Sequence, residues 1–162
     1  MTDKKDEKEL KIRKARQEDI GELIALEDLC FDAYYRSHRF AQAEFRYYVR
    51  SDRAFCFAAT RDSSVVGYVA GVAKLSNSRL LATVDSIAVL VEFRRKGLGS
   101  RLLGTLIQEA KSRGCERISL VVAEPNETGI RFFVEHGFKR LRSIRSYYCE
   151  GIDGLLMVSD TA

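Results

Sequence analysis

The chain has 162 residues, 46% of them hydrophobic, which suits one domain with a sizeable core. Its 27 basic and 23 acidic residues leave a net charge of only +4, a poor balance for a general nucleic-acid binder. The four cysteines, Cys30, Cys56, Cys115 and Cys149, form no CxxC pair and have no neighbouring histidines; metal-ligand spacing is absent, and buried free thiols are expected.

The run Asp3 to Glu9 is wholly charged and reads as a disordered tail, residues 1–9, ahead of a single domain over 10–162. No apolar run approaches the roughly 18 residues of a membrane span, and the absence of an export signal points to the cytoplasm. Leu10 to Arg16 alternates as a strand does, and Glu18 to Leu29 follows at helical spacing. Residues 31–50 gather Phe31, Tyr34, Tyr35, Phe40, Phe45, Tyr47 and Tyr48, with Ala41 to Arg50 reading as a helix. Arg36, Arg39, Arg46 and Arg50 among them make either a solvated amphipathic face or a surface for RNA or an acidic peptide.

Three strands come next, Ala54–Thr60, Val65–Lys74 and Leu80–Val91, joined by the polar turns RDSS and LSNS. Helical period returns from Leu98 to Lys111, with Leu98, Leu102, Leu103, Leu106 and Ala110 on one face and Gly114 as a left-handed cap. Arg117–Ala123 is nearly all apolar, as a strand covered on both faces should be. Asn126 can cap a short helix with inner face Ile130, Phe133 and Val134, ended by Gly137; strands Phe138–Tyr148 and Leu155–Ser159 close the chain. The sum is a mixed α/β sheet with helices on its faces.

The chemistry concentrates in Arg94-Arg95-Lys96-Gly97-Leu98-Gly99, where a strand hands over to a helix. A helix N-terminus leaves backbone N–H groups unpaired and carries partial positive charge. Gly97 and Gly99 open that backbone to a ligand, and the cations add full charge, so the stretch describes a phosphate or pyrophosphate pocket; a plain turn with a solvated basic edge is the alternative. It is not a P-loop, which needs GxxxxGK and a hydroxyl residue. It is not a dinucleotide fingerprint either, since Leu102 stands where glycine or alanine is required.

The stretch resembles motif A of the GNAT family of N-acetyltransferases, Arg/Gln-x-x-Gly-x-Gly/Ala at a helix start, through Arg94, Gly97 and Gly99 after Ile87-Ala88-Val89. NETGIRFFVEHGF, with Asn126 and Gly137-Phe138, resembles motif B, and the order of elements follows the family over nearly the whole chain. The resemblance implies a single-domain GNAT fold, with about seven mostly antiparallel strands splayed at the centre and about four helices. It implies acetyl-CoA as co-substrate and no metal. The pyrophosphate would lie on amides of Arg95, Lys96, Gly97, Leu98, Gly99 and Ser100 beside Arg94. The pantetheine arm would pair with the backbone around Ile87, Ala88 and Val89, and Asn126 and Phe133 would line the thiol end.

Within the family the chain looks most like the ribosomal-protein and Nα-terminal acetyltransferases, which implies a primary amine acceptor, a protein N-terminus or a small amine. The proton carriers common there are absent, because Val121 and Phe133 occupy their positions. A catalytically impaired acetyl-CoA-binding module is therefore the rival reading. Replacement candidates are Asp85, expected on the Ile87 face and either catalytic or salt-bridged to an arginine, and Glu124, acting through a water or simply solvated. Tyr147 and Tyr148 would close over the acceptor, protonate the thiolate or pack the core. His136 suits its helix C-terminus, and His38 could touch the acceptor. No membrane or nucleic-acid partner is expected, and the chain would be a monomer or homodimer. An α-amine with pKa about 8 is roughly a tenth neutral at pH 7, lysine only about one part in several thousand, so a site short of bases favours the α-amine.

Overall fold

The computed structural model describes residues 10–31, 35 and 38–161. The charged run 1–9, and Tyr34 and Arg36 of the aromatic segment, lie outside the described residues. Strand β1 (Lys11–Lys14) leads through a 3-10 turn into helix α1 (Ile20–Cys30), and α2 spans Gln42–Arg50. The meander β2 (Ala54–Arg61), β3 (Ser64–Ser76) and β4 (Arg79–Val89) follows. Then come α3 (Leu98–Ser112), β5 (Arg117–Ala123), α4 (Glu127–Glu135), β6 (Lys139–Cys149) and β7 (Ile152–Asp160).

Local chemistry sets these boundaries. Asp62-Ser63 and Asn77-Ser78 all take positive φ, the two-residue turn whose twist matches its flanking strands. Strand β4 stops at Val89, short of the expected Val91, because Val91–Phe93 wind into a 3-10 turn. Gly114 and Gly137, at φ +85° and +89°, end α3 and α4 as expected.

The seven strands run in the order β1-β2-β3-β4-β5-β7-β6, and only β4–β5 is parallel. Helix α3 buries Leu98, Leu102, Leu103, Leu106 and Ala110 on one face of the sheet, with Ile130, Phe133 and Phe138 from the α4 end. Leu23, Leu26 and Phe45 of α1 and α2 cover Tyr68, Ala70 and Ala88 on the other face. Burying each such leucine stabilises by about 1.5–3 kcal/mol. Val134 does not join the inner face of α4 and is half exposed. The left-handed turn at Gly137 folds Phe138 back against Phe133, filling that place. Nor are all four thiols buried: Cys56 and Cys115 are, Cys30 is partly so, and Cys149 is exposed. No helix among the described residues is long and apolar enough to cross a membrane.

Two irregularities shape the centre. In the β3–β4 ladder Ala70 faces Ser86 and Gly71 faces Val84, so Asp85 is the extra residue of a β-bulge. Strands β4 and β5 pair only at Leu81–Thr83 with Arg117–Ser119, whereas β5 stays paired with β7 through Ala123. Beyond Thr83 the two central strands part.

Candidate active site

The walls of this split differ. Leu90 N donates to Val66 O of β3 (2.9 Å), and successive peptide groups of a strand point alternately left and right. The main-chain groups of Ile87 and Val89 therefore point into the split, while Ala88 turns its own toward β3. Val89 O, accordingly outside the ladder, accepts from Arg94 Nε (2.8 Å) and lies 3.6 Å from Cys30 Sγ. On the β5 wall two tyrosines occupy the corresponding groups. Tyr148 Oη donates to Val121 O (2.8 Å), and Ala123 N donates to Tyr35 Oη (3.4 Å). One edge is closed by phenols and the other is turned to the gap.

At the end of β4 the basic loop reaches α3. Gly97 takes φ +80°, and the first intrahelical bond runs from Arg101 N to Gly97 O (3.0 Å), so the amides of Leu98, Gly99 and Ser100 open at the helix start. Arg94, Arg95, Lys96, Gly97 and Ser100 are exposed. Positive φ accounts for Gly97. Among the described residues nothing internal accounts for Gly99, where a Cβ would meet the Phe132 ring, at 3.5 Å, in ordinary contact. His136 joins α4 to this corner, with Nδ1 on Phe132 O (2.7 Å) and Nε2 on Ser100 Oγ (2.8 Å).

The far end of the split is aromatic. Tyr148, nearly buried, packs edge-on to Tyr35 and against His38, while the more exposed Tyr147 stacks on His38 at 5.0 Å. Asn126 caps α4 through Oδ1 to Gly129 N (3.0 Å) and donates from Nδ2 to Tyr35 Oη (2.8 Å). Burial pushes the Tyr148 phenol above its ordinary range, which suits a donor to a main-chain carbonyl more than a titrating acid.

Asp85 is not on the Ile87 face and has no arginine partner among the described residues. The bulge reverses the alternation: Val84 and Ile87 pack on the α3 side, whereas Asp85 accepts a hydrogen bond from Tyr48 of α2. Burial first, and then the Asp85 charge, raise the Tyr48 phenol. Glu124 accepts from Ser143 Oγ of β6. Phe133 lies in the α3-side core, packed between Phe132 and Phe138.

The sequence pattern of the acetyltransferase (GNAT) family matches residues 20–138. The chain belongs to this family. A relative from Sulfurisphaera tokodaii named N-alpha-acetyltransferase is 32% identical over 161 residues, covering 94% of this chain and 93% of its own length. The ribosomal-protein-S18-alanine N-acetyltransferase of Escherichia coli shares the fold, with a TM-score of 0.79 at 22% identity over 95% of each chain. Arabidopsis thaliana NAA60 in complex with acetyl-CoA does so too, at 0.79 and 18% identity over 94% of this chain and 98% of that one.

In this GNAT domain the split unites Ile87, Val89, Asn126 and Tyr148 from distant stretches of sequence, while Asp85 and Phe133 lie to opposite sides of the sheet. Several residues of the centre carried no signal in the sequence. Glu27 is buried in α1, accepting from Phe40 N (3.0 Å) and from Tyr68 Oη, which lies 2.6 Å from Ser86 Oγ. Burial raises its pKa. Thr83 Oγ1, at the last paired position before the split, is buried with no hydrogen-bond partner among the described residues. A carboxylate at helical spacing, a threonine in a strand and Tyr35 within an aromatic cluster are each ordinary until the fold brings their partners from other elements.

Proposed function

We propose that the chain transfers the acetyl group of acetyl-CoA to the α-amine of a protein or peptide N-terminus. The observation that carries this is the split itself, with one strand edge turned to the gap, an open helix N-terminus at one end and an aromatic wall at the other. The residues fit the co-substrate of the family. The amides of Leu98, Gly99 and Ser100, with Arg95 and Lys96, would hold the pyrophosphate, and the Ile87 and Val89 edge would receive the pantetheine arm in place of the Arg94 contact. Bound there, acetyl-CoA supplies an activated thioester carbonyl.

The chain's own groups do the rest. The N–H of Ile87 or Val89 would donate to the carbonyl oxygen as charge develops on it; the N–H of Ala88, turned to β3, cannot. Tyr35, His38, Tyr147 and Tyr148 would position the acceptor, and holding amine and thioester together can contribute on the order of several kcal/mol. Acceptor selection favours an amine that is already partly neutral, because Val121 and Phe133 offer no proton carrier. The free thiols, exposed at Cys149, suit a reducing compartment such as the cytoplasm.

The test is thiol release and mass spectrometry with acetyl-CoA and three peptide sets: free N-terminus, blocked N-terminus with internal lysine, and small amines. Acetylation confined to free N-termini is expected. Turnover only on lysine or small amines would refute the acceptor, and binding without turnover on any set would favour the module that the apolar Val121 and Phe133 keep in view.

A further inference from the structure

His136 is placed where the sequence gives no reason for a polar side chain to meet the phosphate corner. Its Nδ1 faces a carbonyl, Phe132 O at 2.7 Å, and a carbonyl only accepts, so Nδ1 carries the hydrogen. In the neutral ring Nε2 is then an acceptor, and Ser100 Oγ, at 2.8 Å, must point its hydrogen at the imidazole. That polarity is wrong for an anion. A phosphate oxygen beside Ser100 offers only lone pairs, and so does the serine side that faces away from His136. For Ser100 to donate to phosphate and keep its hydrogen bond with His136, Nε2 must donate to Ser100, and the ring is then the imidazolium.

We propose that His136 is a positioning residue for the diphosphate of acetyl-CoA, acting through Ser100, and that one proton is taken up by His136 as the diphosphate binds. The inference rests on the proposed pyrophosphate site. The surroundings couple the two events. The charged groups on the elements that meet here are Arg94, Arg95 and Lys96 of the loop before α3, Arg101 of its first turn, Arg131 of α4 and Lys139 at the start of β6, beside the positive N-terminus of α3. On the other side stand Glu135 and the C-terminus of α4, where His136 is the cap residue. A bound diphosphate tips that balance toward the imidazolium. The Phe132 ring, 4.4 Å from the imidazole centre, holds it in place in either state.

The experiment is titration calorimetry with dephospho-coenzyme A, whose diphosphate bridge does not titrate between about pH 6 and 8, in paired buffers of different ionisation enthalpy. Parent, His136→Leu, His136→Gln and Ser100→Ala are compared, with thermal unfolding as the folding control. The parent is expected to take up to one proton, most at the alkaline end where the free ring starts neutral, and to bind several-fold more tightly at the acid end. His136→Leu should bind with no uptake beyond background, and Ser100→Ala with less uptake than the parent. His136→Gln, whose amide donates without titrating, should bind independently of pH and close to the parent's acid-end affinity. Binding by the parent without proton uptake, or equal uptake by His136→Leu, overturns the inference and leaves the acetyl-CoA site standing. Absence of binding by the folded parent overturns both.

Discussion

Gly71→Ala tests the bulge on which the geometry of the split depends. An ideal Cβ at Gly71 would stand 1.9 Å from Thr83 O and 3.2 Å from Leu106 Cδ1. The leucine can turn aside, but the carbonyl belongs to β4 and moves only with its strand. Relief to an ordinary contact needs about 1.5 Å of shift at that carbonyl, beside Asp85 on a strand held by its ladder to β3. Overpacking commonly costs about 1–3 kcal/mol and more where backbone must yield, so the loss is placed at about 3 kcal/mol or above. For a domain of this size that is a fall in Tm of roughly 6–12 °C. The same shift displaces Ile87 and Val89, so acetyl-CoA affinity should fall with it. Thermal unfolding and calorimetric titration are the assays. A Tm within about 2 °C of the parent, with unchanged affinity, would refute the bulge as described.

Gly99→Glu puts a carboxylate at the open amides of α3 without an internal clash, so the fold should hold while acetyl-CoA affinity drops more than about a hundredfold, near 3 kcal/mol; parent-like binding would move the pyrophosphate elsewhere. Asp85→Asn alters the acceptor of the Tyr48 hydroxyl on the face away from Ile87, so acetyl-CoA affinity by calorimetric titration should match the parent's, and a severalfold loss would contradict that placement. Glu27, whose pKa burial raises, favours the protonated folded state. Its contribution to stability is thus greatest below the ordinary carboxylate range and lost as pH rises through its folded value. Glu27→Gln should flatten that part of the Tm-against-pH curve, and a curve parallel to the parent's would contradict the shift.

How far the sequence carried depended on whether a feature is written locally. The end of α3 at Gly114 and the bounds of β5 are local: a left-handed glycine and a doubly apolar strand mark them. So is the basic loop, because its glycines and cations are contiguous. The bulge is not, since TVDSIAV reads as unbroken strand, and only the close approach at Gly71, an element away, betrays it. That single extra residue turned Asp85 away from its expected face. The links of Tyr35 to Ala123 and Asn126, and of Glu27 to Tyr68, join residues far apart in the chain, and no periodicity encodes them.

The phenols of Tyr35 and Tyr148 along β5 have a consequence for fidelity. A gap with two equally needy rims would invite an extended guest to dock on either, in two directions and several offsets. Here one rim is already satisfied by the protein itself, so a guest has a single ladder to join. With the diphosphate held at the start of α3 as proposed, its direction along that ladder follows, and hence which of its ends arrives at the aromatic wall.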